Sequence, residues 1–162
     1  MKKILLIMMA MFAFGIQNVS AQDAIKIVTN HPDFKIKVKR CAASGKTVII
    51  DLVLNNTGTN DVEGLEAFGG GNLSEAYDDE GNIYQDNNLK VKVANRQNLE
   101  KYGSGRFNIP AGVPMKLSVS IEGVPQSAES IARLKLHIKC DAWGLGYPDK
   151  FVKINNIPIT RN

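Results

Sequence analysis

The chain has 162 residues, with 20 basic against 16 acidic residues, a formal net charge of +4, and 44% hydrophobic residues. That length supports one well-buried core, and so mild a charge excess argues against a general nucleic-acid or anionic-membrane binder, which would carry a concentrated basic excess. Two cysteines without a CxxC pair give redox catalysis little to work with.

The first element is an export signal over residues 1–21. Lys2 and Lys3 form a positive start, Ile4 to Ile16 an apolar run, and Val19-Ser20-Ala21 the small residues a signal peptidase requires. The mature chain then begins at Gln22, and residues 22–162 are expected to form a single domain, secreted or periplasmic. Loss of Lys2 and Lys3 lowers the basic excess from four residues to two. No later stretch approaches the about 20 apolar residues of a membrane span, so the mature chain is expected to have no transmembrane segment. No Cys follows the apolar run, which leaves no site there for a lipid anchor.

Period-two alternation then marks strands with one buried face. Phe34, Ile36 and Val38 alternate with Lys35, Lys37 and Lys39. After the turn-forming Ala42-Ala43-Ser44-Gly45, Val48, Ile50, Leu52 and Leu54 share one face of a second strand, making this the clearest hairpin. Asn55 to Gly58 ends it. Leu65 to Phe68 makes a brief strand before Gly69-Gly70-Gly71, and Leu73 to Tyr77 with Ile83 to Gln85 flank a polar turn at Asp78 to Asn82. Further strands are expected at Leu89 to Val93, Met115 to Ile121, Ile131 to Cys140 and Phe151 to Ile159, with Pro158 confining the last to an edge or terminus. One helical turn is expected near Arg96 to Tyr102. The spacing predicts an all-β protein, an antiparallel β-sandwich of seven or eight strands.

A disulfide between Cys41 and Cys140 would close a loop of about 100 residues and restrict the unfolded chain by roughly 4 to 5 kcal/mol. Two buried thiols, or a surface thiol pairing with another chain, are the alternatives. Cys140 has inward parity on its strand and Cys41 the parity of the outward lysines, so the bridge requires a bulge or strand end near Cys41.

The runs Phe34 to Cys41 and Gly45 to Gly58, followed by Tyr77 to Asn82 and Ile109 to Lys116, resemble small exported immunoglobulin-like domains of Gram-negative gut bacteria. The resemblance covers about residues 25 to 140 and implies an immunoglobulin-like sandwich. It carries no catalytic residue and no ligand. The only Trp, Trp143, follows both cysteines, unlike the antibody pattern.

Candidate chemistry is sparse. Ser44-Gly45-Lys46-Thr47 ends like a phosphate-binding loop, but Arg40 stands where the first Gly belongs and a strand follows, so a hairpin turn accounts for it. Asp78, Asp79, Glu80 and Asp86, with Asn82 and Asn87, concentrate the hard oxygen ligands calcium prefers; a solvated turn uses the same residues. His31 and His137 have no neighbouring ligand in sequence, and His137 has outward parity, the mark of a surface imidazole. Trp143, Tyr147 and Phe151 offer rings for a sugar or a protein partner, or Trp143 caps the sandwich beside Cys140. The Lys35, Lys37, Lys39 stripe protects a strand edge, or meets lipopolysaccharide phosphate or an acidic glycan.

The expected function is a non-catalytic exported binding module. Its partner is a cell-envelope protein or an extracellular glycan, not nucleic acid, and no cofactor is required unless calcium fills the acidic turn. A small periplasmic hydrolase or hydrolase inhibitor using that turn is the alternative, and pairing through an edge strand a third.

Overall fold

Aliphatic residues at every second position drive a chain into strands that bury one face each, and two such sheets bury their faces against each other. The computed structural model describes residues 24–29, 34–68, 74–94, 106–140 and 150–161. Residues 1–21, expected to be an export signal, the stretch Arg96 to Tyr102, where a helical turn is expected, and residues 141–149 lie outside them.

Twelve strands occur among the described residues: β1 (Lys26–Thr29), β2 (Phe34–Ser44), β3 (Thr47–Asn56), β4 (Val62–Phe68), β5 (Glu75–Asp78), β6 (Ile83–Tyr84), β7 (Leu89–Val93), β8 (Phe107–Ile109), β9 (Met115–Glu122), β10 (Ser130–Cys140), β11 (Lys150–Pro158) and β12 (Thr160–Arg161). They form an all-β sandwich. One sheet runs β1-β11-β10-β4-β8, with β5 sharing the β4 edge of β10 and β6 beyond it; the other runs β12-β2-β3-β9-β7. The strands beyond the expected seven or eight are short ones, such as β1, β8 and β12, which hold too few residues to display alternation.

The core lies between the sheets. Val48, Ile50, Leu52 and Leu54 are fully buried, as their parity predicts, and face Leu134, Leu136, Val152 and Ile154 in a common cluster. The β2–β3 hairpin is tighter than the sequence suggests: Ser44 pairs with Thr47, so only Gly45 and Lys46 form the turn, and Ala42, Ala43 and Ser44 continue the strand. Gly45 takes φ +59 there, the left-handed conformation such turns need. No helix follows, which leaves the phosphate-loop letters as a hairpin.

A bulge between Val38 and Arg40 settles the parity of Cys41. One extra residue on β2 shifts everything after it to the other face, so Cys41 is buried and pairs with Ile50. It is a free thiol. The expected bridge is therefore not formed: Cys41 sits on β2 of one sheet, while Cys140 ends β10 of the other, opposite Leu65. Burial pushes the Cys41 thiol up to about 12, against a smaller lowering by Arg161.

Pro158 ends β11, but β11 is an interior strand between β1 and β10. Beyond Pro158 the chain crosses to the other sheet, where Thr160 and Arg161 pair in parallel with Ala42 and Ala43. Arg161 fastens this end, Nη2 donating to the carbonyls of Pro125 at 2.7 Å and Ala128 at 2.9 Å.

Candidate functional site

The outer face of the five-stranded sheet concentrates charge. Arg40, Asp51, Ser118 and Lys92 stand in one row across β2, β3, β9 and β7, each opposite the next in register. Ile49, Ser120 and Lys90 form the adjacent row, and Lys116 stands opposite Val53 on the other side. These residues line a cavity of about 470 Å³, within the usual size of a small-ligand site.

Asp51 is its electrostatic centre. Arg40 donates to Oδ2 from Nε at 3.0 Å and pairs through Nη2 at 2.9 Å. The Ser118 hydroxyl donates to Oδ1 at 2.7 Å, and Lys116 Nζ lies 3.5 Å from the same oxygen. Burial acts to raise the Asp51 carboxyl, but the Ser118 hydrogen bond and the Lys116 and Arg40 charges outweigh it and hold the group below the ordinary range. Lys90 pairs with Glu122 at 2.6 Å. Lys92 is exposed and has no ion-pair partner among the described residues.

Lys35, Lys37 and Lys39 are exposed on β2, as expected. β12 covers only Ala42 and Ala43, so among the described residues no further strand pairs with the lysine-bearing half of β2 on that side, and charged side chains at such an edge oppose pairing with another chain. Lys37 stands opposite Val53, which stands opposite Lys116, so the stripe and the cavity belong to one basic face.

The acidic turn is built differently from an open cation site. Asp78 is buried at the end of β5 and its carboxylate accepts four hydrogen bonds: from the Glu80 and Asn82 backbone at 3.1 and 2.8 Å, Asn82 Nδ2 at 2.9 Å and the Tyr84 hydroxyl at 2.7 Å. Burial acts to raise its carboxyl, but the bonds from Asn82, Tyr84 and Glu80 prevail and keep it below the ordinary range; beside it, burial and the Asp78 carboxylate raise the Tyr84 phenol. Asp79 instead accepts the Glu129 N–H at 3.1 Å, and Asp86 begins a separate 3₁₀ turn, Asp86–Asn88. Among the described residues no three His, Cys, Asp or Glu side chains converge as a metal site.

Trp143, Tyr147 and His31 fall outside the described residues. Phe151 lies on the outer face of the other sheet, paired with His137 across β10 and β11, its ring 5.1 Å from the imidazole and 4.5 Å from Lys135 Nζ. His137 corrects the surface expectation: it is 3% exposed. Outward parity does not leave it in solvent, because Phe151 packs on it and Ser74 Oγ accepts its backbone N–H at 2.8 Å.

Sequence reasoning passed over Arg40, Ile49, Asp51, Lys90, Lys92, Lys116, Ser118 and Ser120 as a group. The available signal was Asp51, a lone acid inside an apolar strand, facing away from the core.

No family model matches the chain, and no curated protein does. Among solved structures, it is similar to a family 123 glycoside hydrolase from Clostridium perfringens, with 12% identity and a TM-score of 0.43 over 85% of this chain; the chain spans 28% of that enzyme. MyfA, the major subunit of Myf fimbriae from Yersinia enterocolitica, aligns at 8% identity and TM-score 0.37, covering 83% of this chain and 98% of that one. A conjugate transposon protein from Bacteroides vulgatus aligns at 14% identity and TM-score 0.31, covering 80% and 88%. At these identities and TM-scores each transfers no residue role to this chain.

Proposed function

We propose that the chain is an exported, non-catalytic binding module, an immunoglobulin-like sandwich that takes an anionic partner of the cell envelope or extracellular space on the outer face of its five-stranded sheet. The observation that supports this is the gathering of Lys37, Arg40, Lys90, Lys92 and Lys116 on one sheet face from three strands far apart in sequence. Charges so placed attract an oppositely charged surface over a Debye length of about 8 Å at physiological salt and set the orientation of encounter. The hydrolase alternative draws no support from the acidic turn, where donors within the turn occupy the Asp78 carboxylate.

The test is retention of the mature chain on immobilised dextran sulfate against uncharged dextran. Retention that weakens with salt and is lost in Lys90→Glu/Lys92→Glu is expected. Equal behaviour on both matrices would overturn the reading.

A further inference from the structure

We propose that the cavity around Asp51 is a subsite for an acidic saccharide, a ligand whose anionic groups are separated by neutral hydroxyls. This rests on the anion-binding reading above and narrows it.

The charge pattern of the cavity is the reason. Cations stand on opposite rims, Arg40 on β2 and Lys90 and Lys92 on β7, three inter-strand steps or about 14 Å apart. An extended ligand is therefore needed to meet both rims. Between them the Asp51 carboxylate is matched by Arg40 and Lys116, and the hydroxyl beside it is already committed as a donor. The Ser118 hydroxyl spends its proton on Asp51 at 2.7 Å, so toward a ligand it offers lone pairs only. Asp51 itself, with its side chain 11% exposed, is occupied by Arg40, Lys116 and Ser118 and holds that hydroxyl in its orientation.

A continuous polyanion such as polyphosphate carries acceptors along its whole length and offers neither a donor to the Ser118 lone pairs nor an apolar face to Ile49. A saccharide chain presents carboxylate or sulfate groups to the rims and hydroxyl donors to Ser118 in between. Ser120 in the next row can donate or accept. Ile49, 38% exposed in the same row, gives the apolar C–H face of a sugar ring a surface to cover. Among the described residues no aromatic side chain lines the cavity, so none of them offers a nucleobase a ring to stack on.

The deciding experiment is calorimetric titration of the mature chain with three probes: a size-defined sulfated uronate oligosaccharide, inorganic polyphosphate of matched charge, and a neutral dextran oligosaccharide. The sulfated uronate is expected to bind about tenfold more tightly than polyphosphate, with Ser118→Ala and Ile49→Ser each erasing most of that difference and Lys92→Gln weakening both anions. Thermal unfolding of each variant checks the fold, and Ser120→Ala substitutes if Ser118→Ala does not fold. Equal affinity for both anions, unchanged by Ser118→Ala or Ile49→Ser, would overturn the saccharide subsite and leave the anion-binding module standing. Binding of neither anion would overturn both.

Discussion

Arg40 meets Asp51 through two nitrogens, at 3.0 and 2.9 Å, because the bulge between Val38 and Arg40 turns residue 40 to the outer face. The same extra residue turns Cys41 into the core. Were Lys39 instead paired one to one with β3, strict alternation would send the guanidinium inward and the thiol out, since a one-residue shift exchanges the faces of a strand.

Deletion of Lys39 removes the unpaired residue and leaves Val38 opposite Leu52 and Arg40 opposite Asp51, so Arg40 and Cys41 keep their faces and the loss is expected to stay below about 2 kcal/mol. Lys39→Ala keeps the register and is expected to stay within about 0.5 kcal/mol of the parent. Urea denaturation of both variants makes the comparison, and a deletion cost above about 3 kcal/mol, as an exchange of faces that buried the guanidinium would bring, would contradict the assigned bulge.

Asp78 and Asp51 both ionise below their ordinary value of 3.8 in the fold. A carboxyl depressed in this way contributes stability that is complete above the unfolded-state value and is lost as pH falls through the lower folded value. Melting temperature should hold between pH 5 and pH 7, so far as these two groups govern it, and fall on acidification below about pH 4. Asp78→Asn should cost about 2 to 3 kcal/mol at neutral pH by breaking a buried charged network, and should flatten the acid limb. An acid limb as steep as the parent's would assign the sensitivity elsewhere.

Cys41 should resist alkylation. A buried thiol with its pKa at about 12 is almost wholly protonated at pH 8, and the thiolate is the reacting species. Iodoacetamide is expected to label Cys41 slowly in the native protein and rapidly in denaturant without reductant, as followed by peptide mass. Failure to label in denaturant until reductant is added would show that Cys41 is bridged after all.

Arg161 holds the chain end against the Pro125 to Ala128 segment through three hydrogen bonds from one side chain. Arg161→Ala should cost about 1 to 3 kcal/mol. It should also speed hydrogen exchange at Ala43 and Val124 more than at Ile50, because the loss loosens β12 and its anchor while the centre of the sheet stays packed. Uniform acceleration across the sheet would mean that the latch acts on the whole fold.

Strand identity was legible in the sequence wherever alternation ran long enough. β2, β3, β7, β9 and β10 each show aliphatics at every second position, and burying one face of such a segment leaves little choice of conformation. The turn at Asp78 was legible too, since Asp, Gly and Asn carry its hydrogen bonds locally. β1, β8 and β12 were not, because two to four residues carry no period.

Pairing order belonged to the tertiary structure alone. Residues 40, 51, 92 and 118 meet only because β9 lies between β3 and β7, and nothing local to any of the four strands specifies that neighbour. The bulge at Lys39 and the burial of His137 under Phe151 are of the same kind: both depend on what lies across the sheet. Composition, averaged along the chain, showed a nearly balanced charge. The fold sorted that charge onto the outer faces of the two sheets, because a strand sends alternate residues to opposite sides and the core accepts only the apolar ones.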